Sequence, residues 1–291
     1  MDLKNLATFI QVAELASFTR AAEKLGYSQP AVSSQIRQLE EELSVTLFDR
    51  INHTITLTSH GKEVLEAAYD IRSRLSKLKD EVAMDPHIRG KLRVAMSDSM
   101  CSWLLERQYS SLREEHPAVQ LQIITTNTNE EMLRLLDCNE VDLACTLDRH
   151  VYQSNYIIGA EIREKAHFIT AVGDPLGMGG PISLTNLVEQ PCILTEKNVS
   201  YRNIFEQQLA RYSLEIDPVL ELGNTDLICH LVEKGLGISL LPDYVTEQAV
   251  NEGRIVRLDV KNLDIEIWRQ VLYHQSKYLS PLMKTVMKYL I

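Results

Sequence analysis

The sequence predicts an α/β protein in three parts. The first 58 residues hold short apolar repeats at helical spacing that end in an alternating stretch. Residues 59–84 read as one long helix, and from residue 91 onward strand and helix patterns alternate in two sets.

In the first part, Leu3, Leu6, Phe9, Ile10 and Ala13 recur at helical spacing. Ser17 is placed to cap the next helix, Phe18 to Leu25, with Ala21, Ala22 and Leu25 inward. Gly26-Tyr27 breaks the pattern. Ser28 then caps a third helix, over residues 28–42, with Pro30 in its first turn, where a missing N–H costs little. Val32, Ile36 and Leu39 form its inner stripe, which leaves Gln29, Ser33, Ser34, Arg37 and Gln38 away from the core. Leu47 and Phe48 read as a buried anchor. Ile55 and Leu57 alternate with threonines as a half-buried strand does, so a two-stranded wing with Asn52-His53 at its tip is expected.

In the second part, Val64, Ala68, Ile71, Leu75, Leu78 and Val82 stand at steps of four and three, a heptad seam on a helix about 37 Å long. Such a seam packs against the same helix of a second copy or against its own chain's core. Asp85-Pro86 ends it, and residues 85–90 read as a hinge.

In the third part, strands are expected at 92–96, 119–124 and 141–146, with helices reaching to about Glu115 and over 130–136. A second set has strands at 166–172, 192–195, 219–223 and 237–242. Its helices lie near Leu184, from Arg202, over 226–234 and from Asp243. A strand at 267–274 and a helix after Pro281 close the chain. This order signals parallel α/β structure.

The chain has 291 residues, and its 45% hydrophobic and 24% charged residues fit a soluble globular protein of about two domains. No apolar run spans a bilayer, and the N-terminus lacks the features of a secretion signal, so a cytoplasmic protein is expected. The five cysteines show no CxxC and read as small buried hydrophobes. The formal net charge is −10, of which residues 1–89 carry only −2, so any claim of DNA binding rests on local motifs.

Residues 17–50, SFTRAAEKLGYSQPAVSSQIRQLEEELSVTLFDR, resemble the N-terminal region of the LysR-type transcriptional regulators. The features that match are Ala21-Ala22, Leu25, residues 28–33, Ile36, Leu39-Glu40, Leu47-Phe48 with Arg50, Leu57-Thr58 and Gly61. The resemblance implies a winged helix-turn-helix DNA-binding domain (1–58), a linker and dimerisation helix (59–84), a hinge (85–90) and a two-lobed effector domain (91–291) like the type 2 periplasmic binding proteins. Lobe I would take 91–161 and 267–291, and lobe II 162–266. The phrase GLGISLLP carries part of the likeness there.

The residues then acquire candidate roles. A helix starting in small polar residues fits the major groove. Ser28, Gln29, Ser33, Ser34 and Arg37 are candidates for base or phosphate contact, with Arg50 and His53 at the wing. Serines on a helix are also simply solvated, and Arg37 has Glu40, Glu41 and Glu42 nearby as candidate ion-pair partners. Many relatives carry a basic residue in place of Ser34 and of Asn52-His53-Thr54, so fewer phosphates are neutralised here and a shallower salt dependence is expected.

Between two α/β lobes, ligands sit at strand C-termini and helix N-termini, where an anion is a natural guest. By position the candidates are Ser97, Ser99, Met100, Thr125 and Thr126 in the first lobe. Thr195, Ser200, Tyr201, Arg202, Asn224 and Thr225 are their counterparts in the second. Asp98 and Asn127 lie beside them, and Tyr152, Tyr156 and Trp103 could line an aromatic wall. Each polar candidate is equally suited to capping its own helix. No cofactor is expected beyond a small-molecule co-inducer, with an anion favoured. Expected partners are operator DNA, that effector, a second copy through the linker helix, a homotetramer and RNA polymerase.

A solute-binding protein would have a secretion signal and no helix-turn-helix. An enzyme is disfavoured because GxSxG, GxxxxGK[ST] and HExxH are absent and the eight histidines are scattered. The glycine-rich run 173–180 lacks the lysine of a phosphate loop and reads as a plain loop.

Overall fold

The structure, a computed structural model, describes residues 2–51, 54–82, 88–151 and 153–291. Helix α1 (Leu3–Leu15) is capped by Asp2, whose carboxylate accepts from the Lys4 N–H. Helix α2 (Phe18–Leu25) is capped by Ser17 and ends at Gly26, whose φ of 69° suits a residue without Cβ. Helix α3 (Gln29–Leu43) starts at Ser28, with Pro30 in its first turn. Strands β1 (Phe48–Ile51) and β2 (Thr54–Leu57) pair antiparallel, Phe48 opposite Leu57. The wing tip, Asn52-His53, lies outside the described residues. Phe48 anchors the wing: its ring meets Phe9 at 5.4 Å and Phe18 at 5.7 Å between centroids. Val32, Ile36, Leu39 and Leu47 close this core at 0% exposure.

Helix α4 (Ser59–Val82) follows at once. At Gly61 a Cβ would come within 2.2 Å of the Leu47 carbonyl, so the helix can enter here only through glycine. The seam divides. Ala68 is buried, and Val64 and Ile71 are half-buried, against the chain's own N-terminal core. Leu78 is 54% exposed. Glu14 on α1 accepts from Arg72 on α4 at 3.2 Å, and the Tyr69 ring packs at 5.8 Å on His274 of the large domain. Half of the expected hinge, 85–87, lies outside the described residues.

The large domain opens with β3 (Gly90–Met96), so Gly90, expected in the hinge, is already paired with Val119. The single helix expected next is two, α5 (Asp98–Arg107) and α6 (Tyr109–Glu115), divided at Gln108. Strand β4 (Val119–Thr125), α7 (Asn129–Asp137) and β5 (Leu143–Asp148) complete the first unit, with β3 parallel to both neighbours.

Strand β6 (Tyr156–Ala171) begins ten residues before the expected strand at 166. Its first half alternates half-buried and exposed positions without an apolar run, which hides it from pattern reading. Helix α8 (Pro175–Met178), capped by Asp174, sits inside the glycine-rich run expected as loop. Then come α9 (Leu184–Val188), β7 (Ile193–Leu194), α10 (Ser200–Ala210) and β8 (Leu220–Glu221). Helix α11 (Thr225–Glu233), β9 (Ser239–Pro242), α12 (Asp243–Asn251) and β10 (Ile255–Arg257) follow. Strand β11 (Ile265–His274) and helix α13 (Pro281–Met287) end the chain.

Among the described residues the main sheet runs β10-β6-β11-β5-β3-β4, with β9 also on β6. The parallel expectation holds for β3, β4 and β5 and for β7 with β8. It fails for β6 and β11, which pair antiparallel with each other from Tyr156–His274 to Ala166–Ile265. These two strands carry the chain between the lobes, so the expected lobe boundaries fall inside paired strands. Each lobe has its own apolar core, one around Met96, Leu104 and Val286, the other around Phe168, Leu194 and Phe205. Cys145, Cys192 and Cys229 are buried, and all five thiols are free. Among the described residues no helix is long and apolar enough to cross a membrane.

Candidate functional site

Polar side chains converge at the two places the sequence singles out. The first is the outer face of α3. Ser28 is spent as its cap, accepting from the Ala31 N–H at 3.4 Å. Gln29 donates to the Ser33 hydroxyl at 2.8 Å, and Ser34 and Arg37 are exposed beside them. The Glu40 carboxylate accepts from the Leu47 N–H at 2.8 Å and so pins the turn after the helix. Among the described residues Arg37 makes no ion pair, so the acidic neighbours in sequence do not neutralise it. Gln38 accepts from Asn5 at 3.2 Å, which ties α3 to α1. Arg50 lies on β1 in the wing; its side chain, like His53, lies outside the described residues.

The second is a cavity between the lobes, partly open to solvent. Ser97, Asp98, Ser99, Asn127, Asn129, Met132 and Leu147 line it from the first lobe. Thr195, Glu196, Asn198, Val199, Ser200, Tyr201, Gly223 and Thr225 line it from the second. Ser97 caps α5 through the Met100 N–H at 3.3 Å, and its hydroxyl lies 3.1 Å from Ser99. Asn129 donates to Asp148 at 2.7 Å and reaches Ser200 across the cleft at 3.4 Å. Burial pushes the Tyr201 phenol up, and the neighbouring Thr195 hydroxyl opposes the shift only in part. Thr195 Oγ1 is itself buried and makes no hydrogen bond of normal geometry.

Five expected candidates do not line the cavity. Met100 is buried in the first lobe's core because the inner face of α5 carries it there. Thr125 is exposed at the end of β4, and the backbone of Thr126 turns back to Met96 at 3.0 Å. Arg202 lies buried behind the lining: its Nε donates to Glu206 at 2.7 Å and its Nη1 to the Thr195 carbonyl at 2.9 Å. Asn224 caps α11, accepting from the Leu227 N–H at 2.8 Å. The aromatic candidates pack elsewhere, Trp103 under Arg269 at 4.2 Å and Tyr156 on Asp137 at 2.8 Å; Tyr152 lies outside the described residues.

Asn129, Glu196, Asn198, Val199 and Gly223, with the apolar Met132 and Leu147, are the lining residues that sequence reasoning passed over. The rule that guests sit between a strand end and a helix start covers the whole loop 195–200, so it already contained three of them. Met132 and Leu147 carry no polar signal.

The sequence profile described as LysR substrate binding domain matches residues 86–291. The chain belongs to the LysR family. A second LysR profile, bacterial regulatory helix-turn-helix protein, matches residues 3–62. This LysR protein is 28% identical over 284 residues to the uncharacterized HTH-type transcriptional regulator YwqM of Bacillus subtilis, covering 98% of this chain and 96% of the other. It is 30% identical to the RuBisCO operon transcriptional regulator of Allochromatium vinosum, over 97% and 92% of the two chains. A full-length OxyR variant of Pseudomonas aeruginosa shares the fold, with a TM-score of 0.68 at 20% identity over 100% and 93% of the chains. The LysR chain is thus a ligand-responsive, DNA-binding transcriptional regulator with an N-terminal helix-turn-helix and a two-lobed α/β effector domain.

Proposed function

We propose that α3 enters the major groove of an operator and reads it with Gln29, Ser33, Ser34 and Arg37, while the wing, with Arg50 and His53, meets the phosphate backbone. The observation that carries this reading is the division of α3. Val32, Ile36 and Leu39 are fully buried and fix the helix. The opposite face presents small polar groups and the Arg37 guanidinium, which has no ion pair among the described residues.

The far half of α4, where Leu78 is exposed, pairs with the same segment of a second copy. Two recognition helices then meet an interrupted palindrome, and two such dimers join as a homotetramer through their effector domains. A small-molecule co-inducer with a negatively charged group binds in the interlobe cavity, near the start of α10. It acts by binding one lobe arrangement better than the other, which changes the spacing of the dimers and their contact with RNA polymerase. The protein works in the cytoplasm as a regulator and not as an enzyme.

Selection of genomic fragments on the full-length protein tests this. Recovery of an interrupted palindrome, with half-sites one or more helical turns apart, is the expected result. Recovery of unrelated fragments would remove the reading.

A further inference from the structure

The interlobe cavity has a charge pattern that a plain anion does not satisfy. Among the described residues no Lys, Arg or His lines it, whereas Asp98 enters from the first lobe and Glu196 from the second. Neither carboxylate has a hydrogen-bond or ion-pair partner among the described residues. Of the two cations adjacent in sequence to the lining, Lys197 is exposed between Glu196 and Asn198 and is not part of the wall, and Arg202 is held by Glu206 and the Thr195 carbonyl. Gly223 keeps the acid accessible. A Cβ there would come within 3.2 Å of Glu196 Oε1 and 3.6 Å of Asn127 Nδ2, between the two lobes. Two unpaired carboxylates at a partly closed cavity are complementary to a cation or a strong donor.

The same cavity also holds an anion-binding element. Helices α5, α7 and α11 are each capped by a side chain, Ser97, Thr128 and Asn224. Helix α10 is not: its N-cap is Val199, with no side-chain cap. The N–H groups of its first turn therefore have no helical partner, and Val199, Ser200 and Tyr201 line the cavity. Beside them Thr195, 2% exposed, holds a hydroxyl with no hydrogen bond of normal geometry. A buried donor left unmatched in a cavity wall is matched by a guest's acceptor.

We infer that the effector is a zwitterion of the α-amino-acid type. Its carboxylate takes the α10 N–H groups and the Thr195 hydroxyl, and its ammonium takes Asp98 and Glu196; this assignment rests on the interlobe cavity being the effector site. Met132, Leu147 and Val199 leave an apolar surface for the side chain.

The test uses the full-length protein, with thermal shift followed by calorimetry against the proteinogenic L-amino acids at millimolar concentration. Each hit is repeated with the matched amine, which lacks the carboxylate, and the matched carboxylic acid, which lacks the ammonium. The expected result is one amino acid, or a small group, that binds while its amine and acid bind at least about tenfold more weakly, the size of one charged hydrogen bond. Glu196→Gln should weaken the amino acid by about the same factor and leave the acid unaffected. The unliganded melting temperature should not move, because Glu196 has no partner to lose. Thr195→Val is a second variant that should weaken both.

An acid that binds as well as its amino acid, weakened by Thr195→Val and indifferent to Glu196→Gln, would overturn the zwitterion and keep the cavity as the effector site. An amino acid whose binding ignores both variants would instead remove the cavity from the account. Absence of binding by every amino acid also overturns the inference.

Discussion

The hydroxyl of Ser99 and the phenol of Tyr244 share a hydrogen bond of 2.7 Å that ties α5 of the first lobe to α12 of the second. Ser99 also lines the interlobe cavity, so this bond couples the cavity wall to the lobe–lobe contact. Burial, ahead of the hydrogen bonds and the Arg269 charge that oppose it, pushes the Tyr244 phenol up to about 12. The group is therefore protonated at any working pH. Tyr244→Phe should cost roughly 1 kcal/mol and lower the effector domain's melting temperature by about 2–4 °C. A scanning calorimetry trace that matches wild type would show that the bond holds nothing.

Acid stability should depend on Asp142. Burial alone would raise its carboxyl, but hydrogen bonds from Arg93 at 2.8 and 3.1 Å and the ammonium of Lys277 outweigh it and hold it at about 2, against an ordinary 3.8. A depressed carboxylate contributes stability above its unfolded value, and that contribution is lost as pH falls from about 3.8 to about 2. The shift corresponds to roughly 2 kcal/mol. Asp142→Asn should remove this limb from a plot of denaturation midpoint against pH. An unchanged slope below pH 4 would assign the acid sensitivity to other groups.

Gly61→Ala should strain the joint between wing and linker helix. The added methyl would meet the Leu47 carbonyl at 2.2 Å and Leu57 Cδ2 at 3.0 Å. The first contact is backbone and has little room to move, so a loss of about 1–3 kcal/mol is expected. Urea titration followed by far-ultraviolet circular dichroism reads it. A midpoint equal to wild type would mean that α4 can shift.

Replacing Leu75 and Leu78 with Lys should give a monomer that keeps a folded effector domain and loses operator binding. Sedimentation velocity reads the mass. A dimer of normal stability would return the seam to a purely internal role.

Much of the fold was legible because its signals are local. Ser17, Gly26, Ser28 and the stripe Val32, Ile36, Leu39 each fix a boundary or a face within a few residues. The seam of α4 was ambiguous for a physical reason: a heptad marks an apolar face and not its occupant. The structure puts Ala68 on the chain's own core and leaves Leu78 outside. The first half of β6 was hidden because its neighbours supply the pairing and its own side chains carry little apolar signal. Arg202 misled because an arginine opening a helix in a cleft looks like an anion partner. Glu206 stands four residues on, the spacing of a helical ion pair, and that pairing withdraws Arg202 from the cavity.

DNA recognition by α3 is the central claim, and fluorescence anisotropy on the DNA upstream of the protein's own gene tests it most directly. The titration uses wild type beside Arg37→Ala, a scrambled competitor and a salt series. Binding should resist the competitor, fall about tenfold or more in the variant, and lose log affinity with log salt less steeply than in a relative with a basic wing. Equal affinity of wild type and variant for operator and scrambled DNA would contradict it.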